Sequence, residues 1–118
     1  MEKAKQTMKA AVLTETGKPL VIIDNIIIPD PARGQILVKI AYAGLCRSQL
    51  MEANGLRGED RYLPHMLGHE GTGVVVSVGE GVTKVQPDDE VVLGWIKGEG
   101  LEGSGTQYKT TTGEVINA

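Results

Sequence analysis

The chain has 118 residues, one domain's worth at most, with 41% hydrophobic and only 3% aromatic residues, no Phe, 16 glycines and a net charge of −3. The absence of a dense basic run argues against nucleic acid or an anionic membrane as partner, and the single cysteine excludes an internal disulfide and fits a reducing cytoplasm. No apolar run nears the roughly 18 residues that span a bilayer, and the N-terminus lacks a signal-peptide core. Val, Ile and Leu must therefore fill the interior, which suits half-buried strands.

Met1 to Thr7 is polar and reads as an N-terminal extension with a frayed end. Lys9 to Thr14 predicts a first strand, Thr16-Gly17-Lys18-Pro19 a turn, and Leu20 to Ile28 one or two short strands. Pro29 to Gly34 breaks the chain. Gln35 to Ala43 alternates Ile36, Val38 and Ile40 against Gln35 and Lys39, so it predicts a strand that Gly44 ends. Ser48 to Ala53 is the one helix candidate, with a cap at Ser48 or a neighbour, Leu50 and Ala53 facing inward, and Asn54-Gly55 as its stop. Leu56 to Met66 is charged and broken by Pro64, which predicts a loop at the mouth of a site. Gly71 to Gly79 and Glu90 to Ile96 predict further strands, with a turn at Gly79-Glu80-Gly81 between them. Gly98 to Gly105 reads as a flexible loop and Tyr108 to Ile116 as a weak hairpin. Many short strands, frequent turns and one helix define a mainly β chain of small-barrel type, without internal repeats.

The organising stretch is Gly68-His69-Glu70-Gly71-Thr72-Gly73, read with Cys46 upstream. A thiolate and an imidazole are good zinc ligands, and a carboxylate beside the imidazole can join or tune them. The run Gly68-His69-Glu70, then Gly73, Gly79 and Val82, resembles the zinc signature of the medium-chain dehydrogenase/reductase superfamily, the zinc-containing alcohol dehydrogenases. Met8 to Val12 resembles that family's opening strand. Pro29, Pro31 and Gly34 before Ile36 to Ile40 resemble its proline turn and valine-rich strand. Ala43 to Ser48 resembles the turn with the first zinc ligand, and Pro87, Asp89 and Val91 a later turn, although Asp88 stands where the family usually has glycine. The likeness covers residues 8 to 96, with several motifs in the right order. It implies a partly open barrel like the small co-chaperonin subunit GroES, formed by residues 8–118 behind the 1–7 extension. It also implies that the Rossmann cofactor domain and the last barrel strands lie outside this sequence.

Taken alone, Cys46 would be a small buried hydrophobe and His69 an ordinary histidine. In this setting the resemblance makes both ligands of a catalytic Zn2+, with Glu70 either a direct ligand, as in the polyol-dehydrogenase branch, or a partner behind the ligands. Ser48 is compatible with a helix cap, and in the family the matching hydroxyl also takes the substrate proton. Arg47 is ordinarily a solvated cation, yet several members use this position for the cofactor pyrophosphate. Two patterns are set aside. His65 and His69 are spaced i, i+4, but Pro64 and Gly68 forbid a helix there, so His65 is read as a loop residue. Gly98-Glu99-Gly100-Leu101-Glu102-Gly103 spells a dinucleotide motif without the helix that must follow it, and is read as a loop.

The resemblance implies alcohol–carbonyl interconversion on a small alcohol, aldehyde or ketone, with NAD(P) as the hydride carrier and zinc as Lewis acid. Met51 stands in place of the family's relay histidine, Gln49 in place of the usual aspartate, and with one cysteine the four-cysteine lobe for structural zinc cannot form. The 118 residues read as an N-terminal fragment without turnover alone, with exposed strand edges that promote self-association. The alternatives are a zinc-free quinone-reductase-like relative and a non-catalytic assembly barrel; Cys46 with His69 and Glu70 speaks against both.

Overall fold

The computed structural model of the chain describes residues 6–56, 58, 60–94, 96 and 98–118. Residues 1–5 of the expected extension, Arg57 and Glu59 of the expected loop, and Trp95 of the expected strand lie outside that set. In chain order the elements are β1 (Thr7–Leu13), β2 (Val21–Ile27), β3 (Ile36–Ala43), α1 (Arg47–Ala53), β4 (His65–Met66), β5 (Gly71–Val78), β6 (Glu90–Leu93), β7 (Gln107–Lys109) and β8 (Val115–Asn117). The chain is mainly β with one short helix, as the sequence predicts. It divides into two compact units: residues 1–29, 46–67 and 106–118, and residues 30–45 and 68–105.

The first unit is built on a five-stranded sheet in the order β2-β1-β4-β8-β7. β1 and β2 form an antiparallel pair around the turn at Gly17, because β-branched Ile and Val dominate β2 and suit a pleated, half-buried surface. β4 adds to β1 through Val12↔Met66 and Leu13↔His65, and β8 lies parallel to β4 at His65↔Asn117. β7 pairs antiparallel with β8, so the expected final hairpin forms. The two edges of the sheet come back together at one isolated bridge, Ile26↔Thr110, beside a Thr111 N–H to Asn25 carbonyl bond of 2.9 Å. The sheet therefore curls without closing into a full barrel. Inside the curl Val12, Ile26 and Ile116 are fully buried, and Met8, Ala10, Ile23, Met66 and Tyr108 pack against them. Residue 65 departs from expectation: it is a buried strand residue, not part of a loop, because two-residue β4 fills the gap between β1 and β8.

The second unit carries the antiparallel sheet β3-β5-β6. β5 forms where expected and alternates, with Gly73 and Val75 inward and Val74 and Val76 outward. Gly73 has to be glycine, since a Cβ there would run into the Lys39 backbone carbonyl of β3. β3 itself does not alternate. Ile40 is half exposed and Tyr42 largely so, because the pairing with β5 shifts register at Leu37/Val38 and again at Ile40/Tyr42. β6 ends at Leu93, short of the expected Ile96. The glycine-rich loop after it is tied down, with Gln35 Nε2 donating to the Ser104 carbonyl at 2.7 Å.

Candidate metal and catalytic residues

The helix that carries the candidate thiol begins one residue earlier than expected. Cys46 is its N-cap, in extended backbone at φ −106° and ψ 145°, and Arg47 is the first helical residue. The cause is Gln49, whose side-chain oxygen accepts the Cys46 N–H at 2.8 Å while its own N–H donates to the Cys46 carbonyl at 3.0 Å. That capping role buries Gln49 and turns Leu50 out to solvent, opposite to the inward face expected for Leu50. Ser48 is not the cap. It sits in the first turn, and its Oγ donates to Cys46 Sγ at 3.3 Å. The sulfur thus has a hydroxyl partner within its own helical turn. Arg47 is exposed beside this pair. At the other end Gly55 N–H bonds the Glu52 carbonyl and Leu56 N–H the Met51 carbonyl, a double C-terminal closure that stops the helix where the sequence places Asn54-Gly55.

His69 and Glu70 belong to the second unit, immediately before β5, with His69 half-buried and Glu70 exposed. The Glu70 carbonyl accepts the Gly44 N–H at 3.3 Å, and the Glu70 side chain lies flat against Gly44. A Cβ on Gly44 would stand 2.5 Å from Glu70 Oε1, so glycine is needed to let the carboxylate lie there. Glu70 edges an open, apolar-walled depression with Tyr42, Thr72, Val92 and Ile96.

A further constellation, which the sequence did not signal, lies in the first unit. His65 Nε2 contacts Asp60 Oδ2 closely and stands 3.9 Å from Glu52 Oε1. Its Nδ1 bonds the Met66 carbonyl at 3.2 Å, and Asp60 Oδ1 accepts the Tyr62 N–H at 2.9 Å. Burial works to lower the imidazole pKa, but the hydrogen bonds to Asp60 and Met66 and the two carboxylate charges outweigh it and raise it. Burial likewise works to raise the Asp60 pKa, and the bonds from His65 and Tyr62 overcome it and lower it. Both groups are thus biased towards their charged forms.

The first unit thus carries the thiol on its helix cap, and in the second His69 and Glu70 lead into β5. Residues 32–115 match the alcohol dehydrogenase GroES-like domain, and the chain belongs to that family. Over 84 residues, 71% of this chain, it is 46% identical to S-(hydroxymethyl)glutathione dehydrogenase of Synechocystis sp. and 44% identical to the protein of the same name in Escherichia coli O1:K1 / APEC. It also resembles the crystal structure of D-arabinose dehydrogenase from Sulfolobus solfataricus, with TM-score 0.58 and 36% identity over 74% of this chain and 25% of that one. The chain spans 22% of the length of the curated relatives it matches. All three relatives are dehydrogenases by name.

Proposed function

We propose that residues 8–118 are the ligand-bearing β domain, behind a short extension over 1–7, of a zinc-dependent dehydrogenase that interconverts alcohols and carbonyls. A Rossmann domain outside this sequence holds NAD(P) in the whole enzyme, and the fragment by itself does not turn over. The observation that carries this reading is the Cys46 thiol with the Ser48 hydroxyl 3.3 Å away, inside the span matched to the family. Thiol, imidazole and carboxylate are the donor chemistry that zinc takes, so Cys46, His69 and Glu70 fit the ion as its holders. When bound, zinc supplies Lewis acidity to the substrate oxygen, and the nicotinamide supplies the hydride acceptor.

The chain's own residues do the rest. Ser48 Oγ donates its hydrogen bond to the sulfur and keeps lone pairs that accept a hydrogen bond from the alcohol O–H, whose proton leaves to solvent. Met51 has no titratable group, so that proton leaves without the family's histidine. Arg47, exposed at the same turn, suits a pyrophosphate contact. The substrate is a small alcohol, aldehyde or ketone, and the setting is the cytoplasm. No helix among the described residues is long and apolar enough to cross a membrane.

The test is to load the purified chain with Co2+ and read its near-ultraviolet thiolate-to-metal absorption. The proposal expects that band in the wild type and its loss in Cys46→Ser. A wild-type chain that binds Co2+ without the band would overturn Cys46 as a ligand, and alcohol-dependent NAD(P)+ reduction by the chain alone would overturn its dependence on a second domain.

A further inference from the structure

Glu52, Asp60 and His65 come from three different pieces of chain: α1, the segment after it, and β4. Their ligand-type atoms all lie within 4.8 Å of one another. We propose that these three side chains form a second cation site, separate from the thiol, that takes a divalent transition-metal ion of the zinc type in place of the proton between His65 and Asp60.

Four features support it. The Nδ1 bond to the Met66 carbonyl fixes the ring so that Nε2 points at both carboxylates, the arrangement that orients metal-bound histidines. The Tyr62 N–H pins Asp60 in the same way from behind. The His65 and Asp60 side chains are only 8% and 7% exposed, while Glu52 at 43% leaves an open lip for an ion and its remaining waters. Charge also favours exchange: with imidazolium the trio carries −1, whereas neutral imidazole with a dication brings it to zero. Ligand atoms around a tetrahedral zinc stand about 3.3 Å apart. The 3.9 Å between Nε2 and Glu52 Oε1 has only to shorten slightly, and Asp60 has to draw back from the ring by a side-chain rotation. An imidazole among the donors selects zinc-like ions over Mg2+ or Ca2+. The exchange is redox-neutral: the cation enters and the Nε2 proton leaves to solvent.

The experiment uses the Cys46→Ser chain, which disables the thiol site and so separates this proposal from the previous one. Zn2+ is titrated in by calorimetry at pH 6, in two buffers of different ionisation enthalpy. The expected result is one Zn2+ per chain with release of a proton, and binding about tenfold or more weaker in Glu52→Gln. The sequence has only two histidines, so the imidazole NMR signals give an independent reading without any change at the site. Zn2+ should move the His65 signals. Movement of His69 alone, no binding at millimolar Zn2+, or unchanged affinity in Glu52→Gln would each overturn the proposal.

Discussion

Asp88 holds its backbone at φ 78° while its N–H donates to the Val75 carbonyl at 2.8 Å. This is the position where the family usually has glycine, and the left-handed conformation explains why. Asp tolerates that region better than most side chains, and a β-branched residue tolerates it worst. Asp88→Val is therefore expected to cost about 1–2 kcal/mol and Asp88→Gly to stay within about 0.5 kcal/mol of wild type, read as denaturant midpoints. Matching midpoints for the two variants would contradict the assignment. His65 makes a pH prediction. Its pKa is higher folded than its ordinary 6.5, so its stabilising contribution is whole below that pH and disappears as pH rises through the raised folded value. Asp60 is depressed from 3.8, so its contribution is whole above 3.8 and is lost as pH falls through the lowered folded value. With metal excluded, the cluster stabilises most between those two pH values, and a melting-temperature profile should fall on both sides. His65→Gln should flatten the alkaline side; an unchanged profile would show that the pair is not what titrates.

At the scale of elements, α1 is positioned by side-chain-to-backbone bonding more than by an apolar stripe. Gln49→Ala removes the acceptor of the Cys46 N–H and is expected to destabilise the domain by about 1 kcal/mol. It should also weaken Co2+ binding at the thiol, whereas Gln49→Glu keeps both close to wild type. A variant that melts lower yet binds Co2+ unchanged would confine Gln49 to helix stability. The helix was legible because Asn54-Gly55 spells its stop, while its start was read one residue late, at Ser48 instead of Arg47. Its inward face was not, because counting apolar residues passes over a polar side chain buried by a cap. Strand β5 was legible from its valines, but which residues face inward, Gly73 and Val75, came only from the structure. Alternation misled for Ile40, where what decides burial is the register against the neighbouring strand.

For the molecule as a whole, the motif around Gly68-His69-Glu70 made the family readable, since its glycines are needed where backbones press together. The cluster around His65 was out of reach, because its strand is two residues long and takes its meaning from partners at positions 13 and 117. The second unit leaves Tyr42, Val92 and Ile96 at 79%, 82% and 84% exposure. A surface of that kind associates, and sedimentation of the chain should show a mass that grows with concentration and reverts towards monomer in Val92→Lys. A monomer at every concentration would remove the expectation. The sheet order has a temporal meaning as well. β8, the latest in chain order of the strands described, lies between β4 and β7, and Ile116 packs into the core with Val12 and Ile26. A nascent chain on the ribosome therefore holds β1 and β2 with half an interior until Asn117 has cleared the exit tunnel. Pairing across so long a separation is slow, so for that interval the half-built sheet is what a chaperone would meet.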